Sequence, residues 1–135
     1  MQKSTFLAMQ LALNMTRRDL QNEMKKLGRP WCIGKGFDKS APIGPITPKA
    51  KAGDVNNAAI DLTVNGEPRQ SSTVAKLIWN VAETIEHLSA AWELQPGDLI
   101  FTGTPEGVAA VVAGDTLVGQ VAGLGRLTVK VDPAS

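Results

Sequence analysis

The sequence predicts an α+β fold whose core is a β-rich, largely antiparallel sheet. Segments with strand character outnumber segments with helical periodicity, and the dipeptide Asn65-Gly66 is a strong signal for a hairpin. Strands do not alternate with helix-length crossovers, which argues against a doubly wound fold. The length of 135 residues leaves room for one domain, so we expect a single domain over residues 1–135.

Composition and charge exclude several classes of partner. The net charge is +1, from 14 basic and 13 acidic residues, and no basic stripe favours nucleic acid. No run approaches the roughly 20 apolar residues that cross a bilayer. Residues 1–14 have an apolar core that is too short for a signal peptide and is interrupted by Gln10. The single cysteine, Cys32, excludes an internal disulfide. We therefore expect a cytoplasmic protein with no nucleic-acid or membrane partner.

The first third of the chain predicts a strand, a helix and a long loop. The apolar run at residues 6–13 predicts a strand with most side chains buried. Thr16 is predicted to cap the following helix, which Gly28 and Pro30 end. Residues 31–55 are rich in Gly, Pro and Lys and cannot form one regular element. Ordered loops of this length are more often functional than not.

The remainder predicts a hairpin, a helical segment and further strands. Residues 60–64 alternate as a half-buried strand does and return after Asn65-Gly66, and Pro68 places the return strand at a sheet edge. Residues 74–92 are predicted to be mainly helical, with a break at Asn80. Further strands are predicted at residues 98–102, 116–121 and 126–131.

Three segments carry polar groups where regular elements meet loops: residues 14–21 (NMTRRDLQ), 34–38 (GKGFD) and 101–108 (FTGTPEGV). In the second, a lysine between two glycines can approach a bound anion closely, although a solvated loop lysine has the same composition. In the third, a strand ends in hydroxyls and free amides, which suits a carboxylate but is equally compatible with a tight turn.

Taken together and in this order, these motifs resemble the fumarylacetoacetate hydrolase family, especially its acylpyruvate- and fumarylpyruvate-hydrolase branch. The resemblance extends over about residues 7–131, through LALNMTRRDLQ, GKGFDKSAP, VNGEPRQ and GDLIFTGTPEGV. It implies a β-rich fold, usually a homodimer, that binds one Mg²⁺ or Mn²⁺ in a cleft. It also implies a small oxo-acid substrate, since members cleave C–C bonds in β-diketo acids, decarboxylate oxaloacetate or isomerise related dioates.

The resemblance also implies roles for individual residues. Lys35 and Gln21 match catalytic positions, with Lys35 at the lysine that stabilises oxyanion charge. Thr104 matches the threonine that binds the substrate carboxylate, and Arg18 matches a position near the substrate. We predict that Asn14, Gln21, Lys35 and Thr104 converge on one cleft, with side-chain tips within roughly 10–12 Å of a common point.

Two departures from the family pattern concern the metal. Asn14 stands where the family has a ligating aspartate, and an amide oxygen lacks the negative charge of a carboxylate. The family's Glu-x-Glu ligand pair and its lid lie upstream of the matching region, so the catalytic domain is expected to be partial, truncated at the N-terminus. We therefore expect metal binding to be weak or absent and the isolated chain to be inactive. The chain is then an impaired enzyme, a non-catalytic remnant or dimerising interaction module, or one half of a split enzyme whose N-terminal half is a separate chain.

Overall fold

The computed structural model describes residues 8–133, whose strands form two antiparallel sheets. In chain order the elements are β1 (Ala8–Met9), α1 (Arg18–Lys26), α2 (Cys32–Lys35), β2 (Thr47–Pro48), α3 (Lys49–Ala52), β3 (Ala59–Val64), β4 (Glu67–Thr73), α4 (Val81–Ala91), β5 (Thr116–Val121) and β6 (Gly125–Lys130). The small sheet pairs β1 with β2, and the larger sheet has the order β4-β3-β5-β6. The predicted α+β class with an antiparallel sheet is confirmed.

The predicted hairpin joins β3 to β4. Asn65 (φ 53°) and Gly66 (φ 86°) both adopt left-handed backbone, as a tight two-residue hairpin turn requires. The Asn65 side chain donates from Nδ2 to Asp115 Oδ1 (2.8 Å) and accepts from the Thr116 amide (2.9 Å), so the turn is held against the start of β5. Pro68 lies in β4 at the edge of the sheet, as predicted, where its missing N–H interrupts no central ladder.

The prediction of a long strand at residues 6–13 is wrong. Within residues 8–13 the strand is limited to Ala8–Met9, with a bridge from Ala12 to Ile43, and residues 6 and 7 lie outside the described part of the chain. Leu11 is the buried side chain of this stretch, and the others are half-buried. The opposing stretch contains three prolines, at positions 42, 45 and 48. Because proline has no N–H, the ladder between the two stretches is irregular.

The predicted helix cap is also wrong. Helix α1 begins at Arg18, its N-cap is Arg17, and no side chain bonds the first turn. The Thr16 hydroxyl instead accepts a hydrogen bond from the Lys35 ammonium. The helix ends at Lys26, and the following Gly28 takes a positive φ, as a helix end favours.

The helix of the second half begins later than its periodicity predicts. A short 3₁₀ turn covers Val74–Lys76, and α4 begins only after Asn80. Asn80 accepts from the Glu83 amide while the Glu83 carboxylate accepts from the Asn80 amide, which is a complete capping box. The predicted break at Asn80 therefore lies at the start of the helix.

Strands β5 and β6 confirm the predictions at residues 116–121 and, within one residue at each end, 126–131. The strand predicted at residues 98–102 is wrong, because this segment has no strand partner among residues 8–133. Residues 31–55 form no single element, as predicted, and instead contain α2, β2 and α3.

The core lies between the N-terminal stretch and the larger sheet. Leu11, Ala58 and Val121 are buried together, and Ile60, Val74, Leu124 and Leu127 pack around them. Gly119 in β5 faces this stretch, since a Cβ there would be in ordinary van der Waals contact with the Leu11 and Leu13 side chains. The core therefore joins the segment preceding α1 to the central strands. In the part of the chain described, no helix has the length and apolar character needed to cross a membrane.

Candidate functional site

A close contact between α1 and α2 builds the first half of the candidate site. Gly34 is buried, and a Cβ at this position would lie 3.0 Å from the Gln21 amide nitrogen and 3.2 Å from the Arg17 carbonyl oxygen. The Arg17 amide also donates to the Gly34 carbonyl (3.0 Å). Glycine at this position therefore lets α2 lie directly against the first turn of α1, and Lys35 follows at the contact.

Lys35 and Arg18 are cations with neutral hydrogen-bond partners. The Lys35 Nζ donates to Thr16 Oγ1 (2.7 Å), and Arg18 Nη1 donates to Gln21 Oε1 (2.5 Å). Neither cation forms an ion pair within residues 8–133. Two cations without an ion-pair partner therefore lie at the contact between α1 and α2, where positive charge attracts an anion.

Gln21 is the buried polar residue of α1, with 6% of its surface exposed. Its Oε1 is bonded to Arg18, and its Nε2 has no acceptor within residues 8–133. Since no buried side-chain nitrogen or oxygen of the described residues lacks a partner, this Nε2 retains contact with solvent. The arrangement holds the amide in one orientation and leaves a donor available to a ligand.

Asn14 lies on the same connection, four residues before α1. The flanking amides of Leu13 and Met15 donate to the carbonyls of Pro42 (2.9 Å) and Ser40 (2.7 Å). The Asn14 side chain is exposed and makes no hydrogen bond within residues 8–133. Its backbone is thus fixed on both sides while its amide oxygen remains accessible.

Thr104 belongs to a second group, organised by Gln70 on β4. The Gln70 Nε2 donates to Thr104 Oγ1 (2.9 Å), to the Pro105 carbonyl (2.7 Å) and to the Glu106 carbonyl (3.3 Å). Gly107 (φ 95°) continues this contact, because a Cβ there would overlap the Arg69 carbonyl oxygen. The loop that carries Thr104 is therefore held against the edge strand by one side chain and one glycine.

A cavity of about 320 Å³ lies beside the second group. Apolar residues of the N-terminal stretch, the sheet, α4 and residues 99–101 make up most of its wall, and they include Leu11, Ile60, Ile85 and Phe101. Polar lining residues include Lys76, Asp98, Thr102 and Thr104. Asn14, Arg18, Gln21 and Lys35 do not line this cavity. The structure thus pairs Arg18 with Gln21 and Lys35 with Thr16, and it places Thr104 with Gln70. The convergence of both groups on one cleft stays a prediction.

Sequence reasoning missed Gln70, Thr16 and Gly107. Gln70 occurs in the sequence analysis only as the last residue of the VNGEPRQ motif, and its half-burial, which indicates an internal partner, becomes visible only in the structure. Thr16 was assigned to a helix cap. The tight contact of Gly107 with Arg69 has no local sequence signal, because the two residues are far apart in the chain.

The described residues offer few ligands for a hard divalent cation. Residues 8–133 contain no group of three or more His, Cys, Asp or Glu side chains placed to hold a metal ion. Asn14 supplies one neutral amide oxygen at the predicted ligand position. Because affinity for Mg²⁺ or Mn²⁺ depends on the number of carboxylate ligands, this donor set does not by itself fit such an ion.

The described residues form an antiparallel α+β domain with two cations at the contact between α1 and α2 and a mostly apolar cavity beside Thr104. A sequence profile described as "Fumarylacetoacetate (FAA) hydrolase C-terminal" matches residues 7–132. The chain therefore belongs to the fumarylacetoacetate hydrolase family, within the region of its C-terminal domain.

Curated relatives include enzymes with two activities. The chain is 52% identical to a fumarylpyruvate hydrolase of Ralstonia sp over 122 residues, which cover 90% of this chain and 63% of that protein. It is 43% identical to an oxaloacetate tautomerase of Escherichia coli over 108 residues, which cover 79% of this chain and 49% of that protein. The chain thus spans less than two thirds of these relatives.

Solved structures show the same fold. The fumarylpyruvate hydrolase from Pseudomonas aeruginosa, in complex with Mn²⁺ and pyruvate, superposes with a TM-score of 0.92 and 54% identity, over 95% of this chain and 55% of that chain. The 5-carboxymethyl-2-hydroxymuconate delta-isomerase from Mycobacterium smegmatis superposes with a TM-score of 0.79 and 36% identity, over 89% of this chain and 45% of that chain.

Proposed function

We propose that residues 8–133 supply the oxo-acid-binding part of a divalent-cation-dependent site that cleaves or tautomerises oxo acids. The substrate class is a small acid with adjacent carboxylate and oxo groups, such as an acylpyruvate or fumarylpyruvate. Support comes from two relatives, a fumarylpyruvate hydrolase and an oxaloacetate tautomerase, and from the structure of the Pseudomonas enzyme in complex with Mn²⁺ and pyruvate.

The observation that carries this proposal is the pair of cations beside α1 and α2, each held by a neutral partner. The Lys35 ammonium stabilises the negative charge that develops on a substrate oxygen, since an unpaired cation outside bulk water interacts strongly with an oxyanion. Arg18 orients Gln21 through its Oε1, so that the Gln21 Nε2 can donate to a substrate oxygen or to a water molecule. Arg18 also adds charge that attracts the anionic substrate.

Thr104 binds the substrate carboxylate in this proposal. Its hydroxyl, which donates to Gln70 Oε1 at 3.3 Å, can turn to donate to a carboxylate oxygen while its own oxygen still accepts from the Gln70 Nε2. Because Gln70 also fixes the carbonyls of Pro105 and Glu106, the hydroxyl is held before the substrate arrives. Such pre-organisation lowers the free energy that binding must spend on ordering the loop.

Residues 8–133 do not supply a complete set of metal ligands. Asn14 is the proposed position of one weak ligand, and carboxylates from outside residues 8–133 complete the set. When it is bound, the cation polarises the substrate oxo group. It follows that the described part alone holds Mg²⁺ or Mn²⁺ weakly and does not cleave acylpyruvates.

The test compares the chain with a fusion. The part of the Ralstonia fumarylpyruvate hydrolase outside its 122 matched residues is joined to this chain in the order of the relative. Calorimetry measures the binding of Mn²⁺, and of oxalate in the presence of Mn²⁺, to the chain and to the fusion. We expect chelator-sensitive binding and fumarylpyruvate cleavage in the fusion, and neither in the chain alone.

The test variant is Lys35→Met in the fusion, and its matched control is Lys39→Met in the same fusion. Lys39 lies on the loop after α2, is exposed and makes no hydrogen bond within the described residues. Activity that survives Lys35→Met as well as it survives Lys39→Met would show that the site has been assigned to the wrong residues. Mg²⁺-dependent, chelator-sensitive cleavage by the chain alone would show that its own side chains hold the metal.

A further inference from the structure

Arg17 contacts α1, α2 and the loop that follows α2. Its amide donates to the Gly34 carbonyl (3.0 Å), and its carbonyl accepts from the Gln21 amide (3.0 Å). Its guanidinium lies over the Phe37 ring, with 4.4 Å between the Cζ atom and the ring centroid. The guanidinium has no hydrogen bond or ion pair within residues 8–133, so the ring is its partner there. The backbone and the side chain of one residue therefore join the Lys35 side of the site to the Gln21 side.

The loop after α2 makes a tight turn. The Ser40 amide donates to the Phe37 carbonyl (3.0 Å), and the Ser40 carbonyl accepts from the Met15 amide (2.7 Å). Lys39 within this turn has a φ of 61°, a left-handed conformation that residues with a side chain rarely adopt. Because such a conformation persists only where surrounding contacts enforce it, the contact of the half-buried Phe37 ring with Arg17 helps to fix the turn.

Lys35 lies between two anchored neighbours. On one side Gly34 is buried against α1, and on the other side Phe37 lies under Arg17. Helix α2 has only four residues, and an isolated helical turn is not stable by itself, so these two anchors determine where the Lys35 side chain begins. The lysine stem is flexible, and its ammonium is held by one hydrogen bond to Thr16 (2.7 Å). Loss of one anchor would therefore widen the range of positions that the ammonium samples.

We propose that Arg17 is a positioning residue for Lys35 and that it acts through its cation–π contact with Phe37. The consequence for catalysis rests on the proposed function, in which Lys35 stabilises negative charge on a substrate oxygen. A guanidinium suits the positioning role, because it is planar, stacks on an aromatic ring and keeps its charge throughout the physiological pH range. A cation stabilises an oxyanion best when it is held in place before the charge develops.

The alternative role for Arg17 is that of a further positive charge that attracts the anion. Loss of the Phe37 ring would leave that attraction unchanged, because the ring carries no charge. Positioning requires both partners, so the loss of either should have the same effect, and the loss of both should add little to it. The two roles therefore differ in the effect of replacing the ring.

The experiment removes each partner of the contact separately and then both together. The variants are Arg17→Met, Phe37→Leu and the double variant, and the backbone bonds of Arg17 are available in all three. Phe37→Tyr keeps the aromatic face. Arg29→Met removes an exposed positive charge just after α1 and is the matched control for the loss of charge, since Arg29 has no side-chain partner within the described residues.

Three measurements follow the consequences. Nuclear magnetic resonance of the Lys35 side chain in the chain itself reports the surroundings of the ammonium. Amide hydrogen exchange at Gly36 and Ser40, whose N–H groups are bonded on either side of the loop, reports the turn. Exchange at residues 117–121, in the central strand β5, reports the overall fold. Calorimetry measures the binding of oxalate to the fusion in the presence of Mn²⁺.

We expect Arg17→Met and Phe37→Leu each to weaken oxalate binding by about two- to fivefold, the range that an exposed cation–π contact supplies. Exchange at Gly36 and Ser40 should accelerate by a similar factor, and the Lys35 signals should shift toward those of the exposed Lys39. The double variant should match the single variants. Phe37→Tyr and Arg29→Met should behave like the wild type.

Lys35 signals that stay unchanged in both single variants would overturn the proposal, as would additive losses in the double variant. A loss in Arg17→Met that Phe37→Leu does not share would assign Arg17 to charge attraction and overturn its positioning role. An equal acceleration of exchange at residues 117–121 would show a general loss of stability and overturn that role as well. A wild-type fusion that binds no oxalate would instead overturn the proposed function, and the measurements on the chain would still decide whether Arg17 positions Lys35.

Discussion

Gln70 and Thr104 form a reciprocal pair across 34 positions of the sequence. The Gln70 Nε2 donates to Thr104 Oγ1 at 2.9 Å, and the Thr104 hydroxyl lies 3.3 Å from Gln70 Oε1 as a donor. One side chain on the edge strand thus holds the hydroxyl that we assign to carboxylate binding. The contact joins the hairpin, which the sequence predicts well, to the loop of residues 103–107, which it does not.

Gln70→Leu should release this loop. Each lost hydrogen bond contributes about 0.5–1.5 kcal/mol, and Nε2 has two hydrogens to donate, so the free energy of unfolding should fall by about 1–3 kcal/mol. Amide exchange at residues 104–106 should accelerate, and oxalate should bind more weakly to the fusion. Gln120→Leu is the control, since Gln120 is exposed on β5 and has no hydrogen-bonded side chain within the described residues. Equal exchange rates in the two variants would contradict the assigned role of Gln70.

Lys35→Met should weaken oxalate binding to the fusion by at least about tenfold, because a charge-assisted hydrogen bond to the anion is lost. The fold should be retained, since Lys35 is half-buried and bonds only to Thr16 among the described residues. Calorimetry measures the affinity and thermal unfolding measures the stability. A large fall in melting temperature with unchanged affinity would instead give Lys35 a structural role.

Asn14→Asp should not give the isolated chain Mg²⁺-dependent activity, because one carboxylate does not replace a full ligand set. In the fusion the same change should increase affinity for Mn²⁺, since it adds a negative charge at the proposed ligand position. Calorimetric titration of both proteins with Mn²⁺ checks the two expectations. Asn22→Asp, at an exposed position on α1, controls for the general effect of added charge. An equal gain from both variants would remove Asn14 from the metal site.

Gly34→Ala should destabilise the contact between α1 and α2. The added Cβ would lie 3.0–3.2 Å from atoms of Gln21 and Arg17, which is tighter than most Cβ contacts, so the two helices would have to move apart slightly. Overpacking of this kind typically lowers the free energy of unfolding by about 1–3 kcal/mol. In Gly36→Ala the added Cβ would meet only one atom, at 3.3 Å, so the free energy of unfolding should fall by less. Thermal unfolding measures the stability of both variants. A smaller loss of stability in Gly34→Ala than in Gly36→Ala would contradict the close contact between α1 and α2.

Asp115 should make the hairpin turn sensitive to acid. The Val112 amide, and then the Asn65 side chain, hold the pKa of this carboxyl below its ordinary value of 3.8. Because the native pKa is lowered, the stabilisation is present above pH 3.8 and is lost as the pH falls through the native value. Asp115→Asn should therefore melt below the wild type at pH 7, and the difference should shrink below about pH 3.8. A difference that does not change with pH would exclude the charge as its cause.

Local sequence signals predicted the elements whose structure depends only on a few neighbouring residues. Asn65-Gly66 fixes its hairpin, and Gly28 follows the end of α1, because each depends on backbone conformations of its own few residues. The strand at residues 98–102 failed for the opposite reason. Its composition is correct, but a strand exists only when another backbone pairs with it, and no partner lies within the described residues.

The candidate site also contains some residues that the sequence singled out and some contacts that only the tertiary structure reveals. The glycines around Lys35 singled it out, and the resemblance to the family added Gln21 and Arg18; the structure holds each of the three by a specific contact. Thr16 was assigned to a cap because hydroxyls before helices usually have that role. Its actual partner, Lys35, lies 19 residues away, and the packing of Gly34 against α1 determines that contact. Tertiary contacts of this kind have no local signature.

The chain exposes 9855 Å² of surface, whereas a folded monomer of this length is expected to expose about 6,800 Å², and the excess has a thermodynamic consequence for the isolated chain. Unfolding would expose only about four-fifths of the new surface that a monomer of this length normally releases. The denaturant dependence and the heat-capacity change of unfolding both scale with that surface. The isolated chain should therefore melt gradually, over a broad range of urea concentration and temperature, and the transition should sharpen when its apolar surface is covered.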